Sequence, residues 1–299
     1  MELHQLRYAV AIADAGTFTA AAEAVRVSQS GVSLQVAKLE RELGVALFDR
    51  SPRRVELTAA GRTLLPLMRE ALARVDAIGA SAAAIRGVLL GSLRLGAVTG
   101  LQWERLVDAL TAMHERHPGV DVRLGEGASA DLIAAVRAGE LDLAVAAWAG
   151  GDPEGLDHRI VVDDAICAIV APGHPWASRS RIATAELLRA DLIALPHGTG
   201  ARAALEAAAA RAGGAVAPRW EVSTPAQVAA LAGRRLGVGV LSETTAEGYD
   251  VVAVPLRDPE ARSTLGVVSR RNPTPAAAAF LALLAGPGDA SGPGGGGAA

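Results

Sequence analysis

Cysteine is almost missing from this chain: Cys167 stands alone among 299 residues. One thiol forms no intrachain disulfide and no cysteine-based zinc site, and a two-cysteine redox sensor cannot be built within one subunit. Long apolar runs are missing too. Arg or Asp interrupts every candidate stretch before 18 residues, so no membrane-spanning helix is expected. The first residues carry Glu2, Arg7 and Asp14 in an amphipathic pattern rather than a basic segment followed by an apolar one. No secretory signal peptide is therefore expected, and a reducing cytoplasm fits. A G-x-S-x-G elbow and a P-loop are also absent, which removes two common enzyme signatures. Lysine occurs once, as Lys38, beside many arginines.

What is present is apolar, mostly through alanine: 51% of residues are hydrophobic, with a mean hydropathy of +0.28. That suits folded domains, and the length allows two or more. The net charge of −3 is unevenly spread, with residues 1–94 carrying +3 and residues 95–299 carrying −6. Positive charge is thus concentrated where electrostatic attraction to phosphates would be useful.

The positive part contains the clearest pattern. Phe18, Ala21, Ala22 and Val25 recur at helical spacing after Thr17, a candidate N-cap. Arg26-Val27 make a turn, and Ser28 opens a second helix whose inward stripe is Val32, Val36, Leu39 and Leu43, ended by Gly44. Its other face presents Gln29, Ser30, Ser33 and Leu34, with short polar groups able to read base edges. Residues 46–57 then read as a hairpin with Ser51-Pro52-Arg53-Arg54 at its tip. Arg50, Arg53 and Arg54 could enter a minor groove or grip phosphates, although a solvated turn has the same composition. This is the layout of a winged helix-turn-helix, and Thr17, Ser28 and Lys38 complete the candidate DNA-contact set.

The segment resembles the LysR-type transcriptional regulators. The resemblance rests on Leu3 and Leu6, Gly16-Thr17-Phe18-Thr19, Ala21-Ala22, Val27-Ser28-Gln29, Ser33, Gln35, Leu39-Glu40, Leu43-Gly44, Leu47-Phe48-Asp49-Arg50 and Leu57-Thr58-Ala59-Ala60-Gly61. Ala9, Ser30-Gly31 and Leu34 depart from the family pattern, the last standing where an Arg commonly contacts DNA. The resemblance implies a dimer or tetramer binding an interrupted palindrome in double-stranded DNA, with RNA polymerase as a candidate further partner. It also implies a small-molecule effector and no catalytic activity.

From Thr58 to about Arg86 the pattern is one long helix with Leu65, Met68, Leu72 and Val75 as a coiled-coil seam. One helix cannot bury such a stripe, so a partner chain is expected. By resemblance this is the linker and dimerisation helix. The expected division is 1–58 for the DNA-binding domain, 59–87 for the linker and 91–285 for the effector domain. The effector domain is expected to be two-lobed and α/β, similar to a periplasmic binding protein. Lobe I covers about 91–162 and 266–285, and lobe II about 163–265. Residues 286–299 are Gly-rich and expected to be disordered. Strands are expected at 159–162 and 165–171 with Asp163-Asp164 as a loop between them.

Three strand-to-helix turns are expected to face the cleft between the lobes: Val98-Thr99-Gly100, Gly127-Ala128-Ser129 and Gly198-Thr199-Gly200. Each offers hydroxyls or free N–H groups at a helix start, where an anion is favoured, and Arg202 adds a fork donor. Thr99, Ser129 and Thr199 could equally be ordinary N-caps. Resemblance favours Thr99, Gly100 and Thr199 as effector contacts. An enzymatic alternative exists, because Gly198-Thr199-Gly200-Ala201-Arg202-Ala203 is a G-x-G-x-x-A run with Glu221 ending the next strand. That would bind a nucleotide cofactor, but no hydride-transfer residues stand nearby. A solute-binding transport component is a second rival, opposed by the DNA-binding module. No cofactor or metal is expected: His114 and His117 flank Glu115 without a third ligand, and Cys167 reads as a core residue.

Overall fold

The computed structural model describes residues 1–50, 55–85 and 89–285. Helices α1 (Leu3–Ala15), α2 (Phe18–Ala24) and α3 (Gln29–Leu43) enclose a core of Leu6, Ile12, Ala21, Val32, Val36 and Leu39. The sequence spacing explains it, since these residues fall on one side of each helix. Thr17 Oγ1 accepts the Ala20 N–H at 3.2 Å and Ser28 Oγ accepts the Gly31 N–H at 3.1 Å, so both helix starts are capped. Glu40 Oε1 accepts the N–H groups of Leu47 (2.8 Å) and Phe48 (3.2 Å), fixing the exit from α3. Strands β1 (Phe48–Arg50) and β2 (Val55–Leu57) then pair antiparallel as the wing. The wing tip, with Arg53 and Arg54, lies outside the described residues.

Helix α4 (Ala59–Ile85) follows, 27 residues long with Pro66 near its start. At about 1.5 Å per residue it is about 40 Å long. Its apolar stripe differs from expectation. Leu65 and Met68 are already buried within this one chain, and Met68 joins the α1–α3 core with Leu64 and Leu72 packed beside it. Among the described side chains of α4, the large apolar ones left exposed are Leu67 (57%) and Ile78 (71%). The physical reason is that α1 packs against α4 and shares a core with Met68, while Leu72 and Val75 of the expected seam stay half-buried. No described helix is long and apolar enough to cross a membrane.

The remainder is α/β: β3 (Gly91–Val98), α5 (Glu104–Arg116), β4 (Val120–Gly127), α6 (Ser129–Arg137), β5 (Leu143–Trp148), β6 (Asp157–Val170), α7 (Thr184–Leu187) and β7 (Leu192–Ala194) come first. Then come α8 (Gly200–Arg211), β8 (Trp220–Glu221), α9 (Pro225–Gly233), β9 (Val238–Ser242), α10 (Glu243–Glu247), β10 (Val252–Pro255), β11 (Arg262–Ser269) and α11 (Pro275–Ala285). The strands form one sheet in the order β4-β3-β5-β11-β6-β9-β7-β8, with β10 also on β6. Two lobes arise because apolar faces gather in separate places. Leu93, Leu95, Met113, Leu143 and Phe280 make one core, and Ile166, Ile182, Leu187, Leu205 and Val240 another.

The two strands expected around Asp163-Asp164 are one. β6 is 14 residues long, pairs with β11 over its first part and with β9 and β10 over its last. The two carboxylates do not break it because each finds a partner. Asp163 accepts from Arg262 Nε at 3.0 Å, and buried Asp164 accepts the Thr244 N–H at 2.7 Å.

Candidate DNA interface and effector cleft

The α3 start is an exposed polar surface of the N-terminal module. Ser28, Gln29, Ser30, Leu34 and Lys38 are exposed and Ser33 is half-buried, while Val32, Val36 and Leu39 on the same helix have no exposure. The capped N-terminus of α3 thus projects short hydrogen-bonding side chains outward together with its partial positive charge. Ser28 Oγ and Ser30 Oγ are 3.3 Å apart. Gln35 plays a different part: its Oε1 accepts from Nε2 of fully buried Gln5 at 3.1 Å, which holds α3 against α1. Leu34, 64% exposed, offers apolar contact where its neighbours are polar. Thr17 is exposed at the α2 start. Arg50 is in β1, opposite Val55.

The three turns expected at the cleft do come together. The Thr99 N–H donates to Gly127 O at 3.2 Å, and the Ala130 N–H donates to Gly198 O at 3.0 Å. One chain of contacts therefore links all three across the lobes. The second lobe adds an element that sequence reasoning did not single out. Gly100 (φ 75°) faces the start of α9, where a Cβ on it would lie 3.4 Å from Pro225 Cδ and 3.9 Å from Thr224 Cβ. Thr224 caps that helix, its Oγ1 accepting the Gln227 N–H at 3.3 Å. The sequence signal was a Ser-Thr-Pro run before a helical pattern, an N-cap with Pro at N1.

The hydroxyls at the cleft are only partly committed. Thr199 occupies the N-cap position of α8 but its hydroxyl donates to Pro196 O at 2.9 Å rather than capping. Ser129 is buried and its Oγ accepts the Ala147 N–H at 3.0 Å, and the N-cap of α6 is Ala128, not Ser129. Thr99 is half-buried. Arg202, 3% exposed, is fully engaged: it donates to Glu206 at 2.7 Å, Glu221 at 3.1 Å and Leu195 O at 3.2 Å.

These contacts dispose of the dinucleotide reading. Glu221, the acid that would hold a ribose, is tied to Arg202. Gly200 is pressed against protein: a Cβ there would fall 2.5 Å from Ala147 Cβ and 2.6 Å from Ser263 Oγ. The glycine serves close packing between α8 and β5, and no pyrophosphate fits in that space. Cys167 is wholly buried, and burial foremost, then the charges of Glu243 and Asp164, push its thiol up to about 12. Among the described residues no His, Cys, Asp or Glu group is arranged to hold a metal.

A module that projects a capped helix from a three-helix core, joined by a long helix to a two-lobed α/β domain, has the layout of a ligand-responsive DNA-binding protein. Residues 3–62 match the bacterial regulatory helix-turn-helix protein, lysR family, and residues 86–286 match the LysR substrate binding domain. The chain belongs to the LysR family of transcriptional regulators and is not an enzyme. It is 40% identical over 177 residues to a "Probable hydrogen peroxide-inducible genes activator" of Mycobacterium xenopi, covering 59% of this chain and 93% of that protein. A protein of the same description in Mycobacterium leprae is 36% identical over 193 residues, 64% of this chain and 62% of that protein. A solved full-length OxyR variant from Pseudomonas aeruginosa superposes with a TM-score of 0.73 at 25% identity, covering 95% of this chain and 93% of that one.

Proposed function

We propose that this regulator binds an interrupted palindrome as a dimer or tetramer in the cytoplasm, with α3 in the major groove and RNA polymerase nearby. A small anionic metabolite held between the lobes controls it. The observation that supports the effector reading is the continuous contact from Thr99 through Gly127 and Ala130 to Gly198, which gathers the Thr99-Gly100 turn and the starts of α6 and α8 in one place. Helix α5 itself starts only at Glu104, so Thr99 is not at a helix N-terminus. Thr99, Gly100, Ser129, Gly198 and Thr199 would touch the ligand, whereas Gly200 packs against Ala147 and Ser263 and would not. Arg202 acts as a positioning residue, since its guanidinium is satisfied by carboxylates and by Leu195 O. The DNA contacts would come from Thr17, Ser28, Gln29, Ser30, Ser33, Lys38, Arg50, Arg53 and Arg54. We take the DNA-binding domain as 1–58, the linker as 59–87 and the effector domain as 91–285; separate apolar cores support the effector-domain boundary, while Met68 of the linker helix shares the core of α1–α3.

The mycobacterial relatives are named for hydrogen peroxide-inducible genes, but a peroxide response through the one thiol of this chain is not supported. A thiol raised to about 12 inside a core is almost wholly protonated at neutral pH and is a poor nucleophile. The test of the effector reading is a melting-temperature screen with small carboxylates, phosphates and neutral amino acids. A ligand that binds the folded state raises the midpoint. Anionic compounds should raise it in the native chain and not in Thr99→Val with Thr199→Val. Stabilisation that persists in the double variant, or that comes only from neutral compounds, would overturn the assignment.

A further inference from the structure

Helix α6 has one end in the cleft and the other against the DNA-binding module. Its first turn carries the Ala130 N–H bonded to Gly198 O across the lobes and Ser129 Oγ bonded to the Ala147 N–H. Its body is clamped by buried Leu132 and Val136. At its far end, the Glu140 N–H donates to Ala135 O at 2.9 Å and the Gly139 N–H to Val136 O at 3.1 Å, the two bonds of a Schellman cap. Gly139 has φ 74°, and a Cβ there would stand 3.4 Å from Arg69 Cβ and 3.2 Å from Arg270 Nη1. The cap is therefore seated directly on α4. Arg270 holds the same loop, donating to Leu141 O at 3.0 Å and to Asp142 at 3.3 Å.

Arg69 joins the three parts of the chain. It comes from α4 and its side chain is 7% exposed. Nη1 donates to Glu140 at 2.5 Å, just past the α6 cap, and Nη2 donates to Asp14 in the last turn of α1. A buried cation cannot exchange a lost carboxylate for water as a surface one does. If α6 shifts along its axis, Glu140 moves, and Arg69 must follow it or leave Asp14.

We propose that α6 and Arg69 form a mechanical link between the interlobe cleft and the helix-turn-helix, with the Asp14–Arg69–Glu140 triad as its joint. Binding at either end then shifts the other, because coupling between two sites is reciprocal. The proposal rests on the cleft being the effector site for its biological sense, yet its test needs DNA alone, so the two can fail separately.

The probe is a duplex selected from a random pool by the full native chain, and the readout is backbone hydrogen exchange at Ala130 and Ala147. In the native protein, duplex binding should change exchange at these amides by about fivefold, the low end of common coupling factors. Glu140→Gln and Asp14→Asn each keep shape but remove a charge. Both should still bind the duplex and shrink the exchange change to under about twofold. Arg123→Gln, which breaks only an exposed pair with Asp121, serves as the control and should leave the full change. An unaltered exchange change in both triad variants, or no change in the native chain, would overturn the proposal. A merely structural triad would lower thermal stability without erasing the DNA-induced change.

Discussion

Arg202 Nη1 and Glu221 Oε2 stand 3.1 Å apart, joining α8 to the strand that ends 19 residues later. The pair ties the 195–200 turn to the outer edge of the sheet. With Glu206 on its other side, Arg202 is a buried cation balanced by two half-exposed carboxylates. Its structural work is to hold the turn that meets Ala130.

Removing that cation should therefore cost stability. Arg202→Met leaves Glu206 and Glu221 able to turn toward water and loses several charge-assisted hydrogen bonds. The expected loss is about 1.5–3 kcal/mol, read as a lower urea midpoint at neutral pH. An unchanged midpoint would mean that the pairs contribute nothing net.

Cys167 gives a pH-dependent prediction. Its ordinary value of 9.0 is raised to about 12, so the folded state favours the neutral thiol. The stability from keeping it neutral is complete below pH 9 and is lost as pH rises toward 12. Cys167→Ala should flatten that alkaline decline. In the native fold at pH 8, iodoacetamide should leave the thiol unmodified, and peroxide should leave the DNA footprint unchanged. Rapid alkylation of folded protein would contradict the burial.

The exposed face of α4 predicts where subunits meet. Leu67, Ala71 and Ile78 lie on one side at steps of four and seven. Leu67→Asp with Ile78→Asp should weaken self-association in sedimentation of the full chain while sparing the winged-helix fold. Met68→Ala should do the reverse, costing about 2–5 kcal/mol through the cavity it leaves.

The contrast between those two variants marks what a sequence can disclose. A stripe at heptad spacing says that α4 must be covered, but not by what. Leu65 and Met68 are hidden within their own chain, Met68 in the core it shares with α1, and only the tertiary packing reveals it. The helix-turn-helix was legible because Thr17, Ser28 and Gly44 punctuate a clean helical period. The turns at Gly127 and Gly198 were legible as strand–glycine–helix junctions, whereas after Thr99-Gly100 the helix starts only at Glu104. The continuity of β6 was not, since Asp163-Asp164 reads as a loop until Arg262 and the Thr244 N–H are seen beside it. Helix α10, five residues of Glu-Thr-Thr-Ala-Glu, is too short to carry a period. Partners as distant as Arg69 and Glu140 leave no local trace.

The first turn of α3 is proposed to read DNA sequence. The measurement that tests it most directly is selection of random duplexes by the native chain and by Gln29→Ala, followed by competition binding at fixed salt. The native chain should enrich an interrupted palindrome. The variant should keep most of its affinity while losing about 1–3 kcal/mol of discrimination at one base pair in each half-site. No enriched sequence for the native chain, or an identical base preference for Gln29→Ala, would contradict the account.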